Sequence, residues 1–174
     1  MEEIIMRKII AADIPALSGM AKQTFFDTFT GTCTDEDMAG FLEHYYNEGA
    51  LQKELDEGIE YFFAEINREP VGYLSFRDEA PSFPEIKGSS AIELKRFYLN
   101  KEHHGKGAAH FMMHFFLDHA IAQGYDVAFL GVWEFNFRAQ KFYHKNGFIS
   151  SEHRHDFPIG GTPQTDVYLI KFLS

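Results

Sequence analysis

Residues 104–110 read His-Gly-Lys-Gly-Ala-Ala-His, a glycine turn set between a β-rich stretch and an apolar helical stretch. Glycine lets the main chain approach a ligand closely. The first N–H groups of a helix lack an internal partner, and together with the helix dipole they suit an anion such as a pyrophosphate. Ala108 and Ala109 keep the first helical turn free of bulk, and Lys106 can add a charge. The same spacing also fits a tight turn with no ligand. The stretch lacks the G-x-x-x-x-G-K-[ST] pattern of a nucleotide P-loop, and no G-x-G-x-x-G follows a first strand, so a dinucleotide fold is not expected. His110, His114 and Asp118 recur at i, i+4 and i+8 on the helix that follows, a possible metal-ligand spacing. Ala109, Met112, Met113, Phe116 and Ala120 occupy the other face, so a solvated stripe opposite an apolar one is the simpler reading, and no metal is assigned. His153-Arg-His155 is read as ordinary surface, and Cys33 has no evident base beside it.

The elements that must position these residues follow from periodicity and turn chemistry. Residues 4–10 are β-rich, and Asp13 with Pro15 marks the start of a helix carrying Leu17, Ala21 and Phe25. Thr34-Asp-Glu-Asp opens a second helix, its carboxylates favoured at that end of the dipole. A further turn or two follows near residues 51–55. Strands are expected over 60–66, 71–77 and 91–99, with a hairpin turn at Asn67-Arg-Glu-Pro and a long loop over 81–90. After the glycine turn a helix runs to about Gln123 and stops at Gly124. A short apolar strand covers 127–132. Asn136 then caps a helix that Gly147 terminates, and strands at 148–153 and 165–172 close the chain. Helices first, then strands, then alternation predict an α/β (α+β) fold on one mixed sheet.

Bulk properties narrow the function. The chain has 174 residues, 45% of them hydrophobic and 24% charged, which suits one domain over 1–174 with a sizeable core. A net charge of -10 disfavours nucleic acid as a partner and attracts cations. One cysteine cannot make an internal disulfide. Neither a signal-peptide h-region nor a membrane-length apolar run is found, so a cytoplasmic protein with no membrane partner is expected.

Residues 133–148 read Trp-Glu-Phe-Asn-Phe-Arg-Ala-Gln-Lys-Phe-Tyr-His-Lys-Asn-Gly-Phe. Here the chain resembles the GNAT superfamily of N-acetyltransferases, which carries Q/R-x-x-G-x-G/A and, further on, N-x-x-A-x-x-F-Y-x-x-x-G-F. The matching residues are His104, Gly107 and Ala109, then Asn136, Ala139, Phe142, Tyr143, Gly147 and Phe148. Both blocks stand in order on the expected elements. The resemblance implies a twisted mixed sheet of about six or seven strands flanked by about four helices, with strands splayed at the acyl-CoA site. Thr24-Phe-Phe-Asp-Thr-Phe, Gly131-Val-Trp-Glu-x-Asn and Gln164-Thr-Asp resemble the PaiA-type branch, whose members acetylate spermidine and spermine. Asp27, Asp35, Glu36 and Asp37 would suit such a polycation, although the last three also suit a helix N-terminus.

The resemblance also implies roles. Acetyl transfer to an amine requires a deprotonated nucleophile, a stabilised thioester oxygen and a protonated leaving thiolate. Main-chain groups of Phe97, Tyr98 and Leu99 would hold the pantetheine arm, with the Leu99 N–H facing the thioester oxygen. Gly105, Lys106, Gly107, Ala108, Ala109 and His110 would meet the pyrophosphate, and Asn136 the cofactor arm. His104 stands where the family has Gln or Arg. A histidine still donates hydrogen bonds, so binding should persist with some pH dependence. Tyr143 matches the general acid, though aromatic residues at helical spacing are otherwise core. Glu93 is the candidate base, expected to share a strand face with Lys95 and Phe97 and equally able to form a salt bridge. Acetyl-CoA is the expected co-substrate, a small cationic amine the expected acceptor, and a homodimer the expected assembly. The alternatives are another amine acceptor (a protein N-terminus, an amino acid or a drug) or a non-catalytic acyl-CoA-binding module.

Overall fold

A computed structural model describes residues 2–81 and 83–174; Ser82, inside the predicted loop, lies outside the described residues. The order is β1 (Ile4–Lys8), α1 (Ile14–Phe29), α2 (Asp35–Tyr46), α3 (Glu48–Asp56), β2 (Glu60–Ile66), β3 (Glu69–Asp78), β4 (Ala91–Leu99), α4 (Ala108–Ala122), β5 (Val127–Trp133), α5 (Phe137–Lys145), β6 (Ile149–Asp156) and β7 (Thr165–Phe172). Only Asn47, in an extended conformation, separates α2 from α3. Local chemistry explains most boundaries. Thr34 caps α2 by accepting the Asp37 N–H at 3.1 Å, and Asn47 caps α3 by accepting the Ala50 N–H at 2.8 Å. Asn67 and Arg68 both adopt positive φ, which makes the β2–β3 turn a tight two-residue hairpin. Asp13 departs from expectation. Its side chain does not cap α1; it accepts the Ile10 N–H at 2.9 Å and the guanidinium of Arg7. A 3-10 turn over Ala11–Asp13 takes up the difference.

One seven-stranded sheet runs β1-β2-β3-β4-β5-β7-β6. Its neighbours are antiparallel except β4 and β5, which are parallel. One face packs on α4 and α5 through Phe76, Ile92, Leu94, Met112, Met113 and Phe116. The other face packs on α1–α3 through Leu17, Phe25, Leu51, Tyr61, Phe63 and Tyr73. Burying each such side chain fully is worth roughly 1.5–3 kcal/mol, which holds helices to both faces of the sheet. No helix among the described residues is long and apolar enough to cross a membrane.

Two irregularities in β4 shape everything around it. The first is a bulge: Ser75 pairs with Arg96 but Phe76 pairs with Leu94, leaving Lys95 without a partner. A bulge bends the strand and re-aims the side chains that follow. The second is a divergence. Of the nine β4 residues, only Ala91, Ile92 and Glu93 pair with β5. Beyond them the two central strands separate, as the resemblance implied.

Candidate active site

The separation leaves main-chain groups of β4 without a sheet partner. Asn100 donates its N–H to the Val71 carbonyl at 2.8 Å, on the β3 side. Main-chain groups alternate in direction along a strand. Tyr98, paired with Tyr73, therefore also faces β3, while Phe97 and Leu99 turn their N–H and C=O groups toward the gap. This corrects the expectation for Tyr98. Its main chain is committed to the sheet, and its contribution is the ring, which stacks on Tyr73 at 5.7 Å on the α1–α3 face.

The glycine turn ends at the gap. Gly105 and Gly107 have φ of 75° and 91°, values that favour glycine strongly. Gly107 is the N-cap of α4, and no side chain caps that end. The N–H groups of Ala108, Ala109 and His110 are thus left without a helical carbonyl. A Cβ at Gly105 or Gly107 would meet nothing within 4 Å, so the turn is open to a ligand. Lys106 and His110 are exposed beside it. His104 turns the other way. Its Nε2–H donates to the Leu99 carbonyl at 2.7 Å, tying the turn to the end of β4. Burial lowers its pKa, and the nearby Arg138 lowers it further. Arg138, at the start of α5, is a cation close to this end of the site that sequence reasoning did not single out.

Tyr143 lies on α5, against the gap from the α4 side. It is buried, packs edge-on to Phe97 and Phe148, and makes no hydrogen bond through its hydroxyl among the described residues. Burial and then the charge of Asp166 raise its pKa, so the phenol is protonated at neutral pH. Asn136 uses its side-chain oxygen to cap α5, accepting the Ala139 N–H at 3.2 Å, which leaves its amide N–H groups for other partners.

Glu93 is an ion-pair partner. Arg77 Nε lies 2.7 Å from its carboxylate and 3.2 Å from that of Glu79. These residues, with Phe83, Phe129 and Tyr168, line a cavity of about 310 Å³ on the α1–α3 side. The expected face-sharing holds only in part. The bulge keeps Lys95 and Arg96 together on the α3 side, where both reach Glu54, and sends Phe97 to the α4–α5 side. Glu54 also accepts from Tyr61, and Arg96 bonds Tyr61 and lies over the Tyr46 ring. Burial alone would raise the Glu54 carboxyl, but Arg96 and Lys95 outweigh it and bring it down to about 2. This cluster fixes the bulge from below.

Asp166 escaped the chemical reading of the sequence, as did the contacts that hold the predicted loop. Asp166 on β7 pairs in register with Trp133, beyond the stretch where β5 pairs with β4, and its carboxylate lies over Gly131 of β5. Among the described residues its carboxylate has no hydrogen bond or ion pair, and burial pushes it up to about 7. The only trace in the sequence is the Gln164-Thr-Asp string, which carries no chemical meaning until β7 is placed beside β5. The loop was expected over 81–90, but not what holds it. Phe83 stacks on His153 at 4.2 Å and His153 meets Glu85 at 2.9 Å, pinning the loop to β6. His110, His114 and Asp118 are exposed on α4, and no group of three or more His, Cys, Asp or Glu with metal-holding geometry occurs among the described residues.

A seven-stranded mixed sheet parted at its parallel pair, with a bare helix N-terminus at the opening, is an acyl-CoA-binding architecture, and sequence comparison agrees. The profile of the acetyltransferase (GNAT) family matches residues 22–148, so the chain belongs to that family. It is 32% identical over 162 residues to an uncharacterized N-acetyltransferase of Lactobacillus delbrueckii subsp. lactis, covering 92% of each chain. It is 38% identical over 163 residues to an uncharacterized N-acetyltransferase of Mycobacterium bovis, covering 92% of this chain and 98% of that one. Among solved structures it is similar to the PaiA N-acetyltransferase of Thermoplasma acidophilum in complex with coenzyme A, with a TM-score of 0.78, 20% identity and 98% and 99% coverage. It is also similar to a ribosomal-protein-alanine N-acetyltransferase of Brucella melitensis, with a TM-score of 0.67, 19% identity and 97% and 99% coverage. At these identities the structural likeness is one of fold. The chain is an N-acetyltransferase that uses acetyl-CoA as co-substrate.

Proposed function

We propose that the whole chain, residues 1–174, acts as one catalytic unit that acetylates a primary amine of a cationic acceptor of the polyamine class, by direct attack in a ternary complex. The observation that carries this reading is the parting of β4 from β5 after Glu93. Acetyl-CoA lies in the gap, its diphosphate at the N-terminus of α4 and its pantetheine arm along the free main-chain groups of Phe97 and the N–H of Leu99. The Leu99 N–H donates to the thioester oxygen as charge builds on it. Tyr143 gives its proton to the departing thiolate. Glu93, the candidate base, is held by Arg77 at 2.7 Å and stands as one of the charges of the acceptor cavity.

The acceptor class is supported by charge. The chain is at -10 overall, and the cavity beside Tyr168 places two carboxylates, Glu79 and Glu93, against the one guanidinium of Arg77. The three PaiA-like strings point the same way. Coenzyme A release measured against spermidine, spermine, a free amino acid and a peptide with an N-terminal alanine tests it. Spermidine or spermine should show the highest kcat/KM. Turnover confined to the peptide or the amino acid would sink the polyamine assignment.

A further inference from the structure

Asp166 occupies a position with no structural task that explains a carboxylate. It stands on the α1–α3 face of β7, paired in register with Trp133 on β5 and with His155 on β6. Its Oδ2 lies over Gly131, 3.1 Å from where a Cβ at that residue would stand, so the missing side chain of β5 makes the room it uses. Burial raises the phenols of Tyr46 on α2, Tyr98 on β4 and Tyr143 on α5, and the charge of Asp166 raises each of them further. With its Oδ2 over Gly131 of β5, the strand that lines one side of the gap, the carboxylate lies on the α1–α3 face, while Tyr143 packs on the opposite face. The Nε1–H of Trp133, buried in the neighbouring strand, is likewise without a partner among the described residues. Arg96, which acts on the same tyrosines, is already neutralised by Glu54. Of the titratable groups around Asp166, none among the described residues bonds to it: buried Tyr46 and Tyr143, half-buried Tyr98, Tyr168 two positions along its own strand, and exposed His155.

We propose that Asp166 receives the acceptor's ammonium group at the mouth of the β4–β5 gap and takes its proton. This rests on the acetyl-transfer reading above and adds a base to it. The ionised carboxylate accepts one proton from R–NH3+ and leaves R–NH2. The nitrogen lone pair attacks the thioester carbon, the C–S bond breaks, and the thiolate takes the Tyr143 proton. The resulting phenolate recovers a proton from the nitrogen of the new amide, and Asp166 releases its own to water through the acceptor opening. A base is most effective when its pKa lies near the working pH, and the burial of Asp166 brings it there. Tyrosine faces around it suit a desolvated ammonium. Asp166 and Tyr143 thus divide the work: one environment moves a carboxyl up into the neutral range, and the other keeps a phenol protonated.

The test is the pH profile of kcat/KM for the best acceptor among the four amines above, for wild type, Asp166→Asn and Gly131→Ala, with coenzyme A affinity measured in parallel by calorimetry. In the wild type, activity should rise with pH through a limb centred near the Asp166 value. Asp166→Asn should lower kcat/KM at pH 7 by about 10²-fold or more, abolish that limb, and leave coenzyme A affinity unchanged. Gly131→Ala crowds the carboxylate without removing it, and should lower kcat/KM by about 10-fold with the limb retained at a shifted midpoint. An Asp166→Asn enzyme that keeps the wild-type limb and rate overturns the proposal. If that variant fails to fold, an unperturbed Gly131→Ala profile overturns it instead. Absence of turnover by the wild type with every amine is a different result, and removes the acetyl-transfer reading itself.

Discussion

Tyr143 carries the clearest single-residue prediction. The phenol is buried, protonated and without a hydrogen-bonding partner among the described residues, at the opening where the strands part. Tyr143→Phe keeps the ring that packs on Phe97 and Phe148 and removes only the proton. Coenzyme A binding should therefore be unchanged in calorimetry, while turnover falls by about 10²-fold or more. Unchanged turnover would take Tyr143 out of the reaction. At this scale the sequence was legible where residues repeat a motif and blind where they do not. Tyr143, Gly107 and Asn136 were singled out by their match to the family's motifs. Asp166 could not, because its meaning depends on a strand pairing between residues more than thirty positions apart. His104 was legible in type but not in direction: its ring turns to the Leu99 carbonyl, a contact set by the turn's geometry.

At the scale of elements, β4 decides the site. Alternation along 91–99 predicted that Glu93, Lys95 and Phe97 would share a face, and the bulge at Lys95 breaks that pattern. Period-2 reasoning has no means of seeing an inserted residue. The buried cluster of Glu54, Lys95, Arg96 and Tyr61 stabilises the bulge from α3. Glu54→Gln leaves the guanidinium of Arg96, 11% exposed, without its counter-charge. Loss of one partner of such a pair costs about 3–5 kcal/mol, so urea unfolding should show a drop of that order in the variant. The sign of its pH dependence follows from a Glu54 carboxyl held at about 2, below its ordinary value of 4.5. The stabilisation is complete above the unfolded value and is lost as pH falls through about 4 toward 2. Wild type and Glu54→Gln should therefore converge in stability in acid, and a constant gap between them down to pH 2 would contradict the role given to the ion pair. Strand and helix boundaries, by contrast, were readable within a residue or two wherever caps and glycines mark them, as at Thr34, Asn136 and Gly147.

At the scale of the molecule, the architecture places two chemistries on opposite faces of one gap. In the proposed reaction acetyl-CoA enters along the open main chain of β4 and the N-terminus of α4, and the acceptor approaches from the α1–α3 face past Tyr168 and Asp166. A single mixed sheet followed from the alternation of elements, and the splay followed from the family resemblance. Neither composition nor net charge could have located it. Amide hydrogen exchange with and without coenzyme A tests this arrangement most directly, because it reads the main-chain donors one by one. The account predicts slowed exchange concentrated at Leu99 and at 107–110, with Tyr98, already committed to β3, unchanged. Protection absent from both segments, or appearing elsewhere in the sheet, would contradict it.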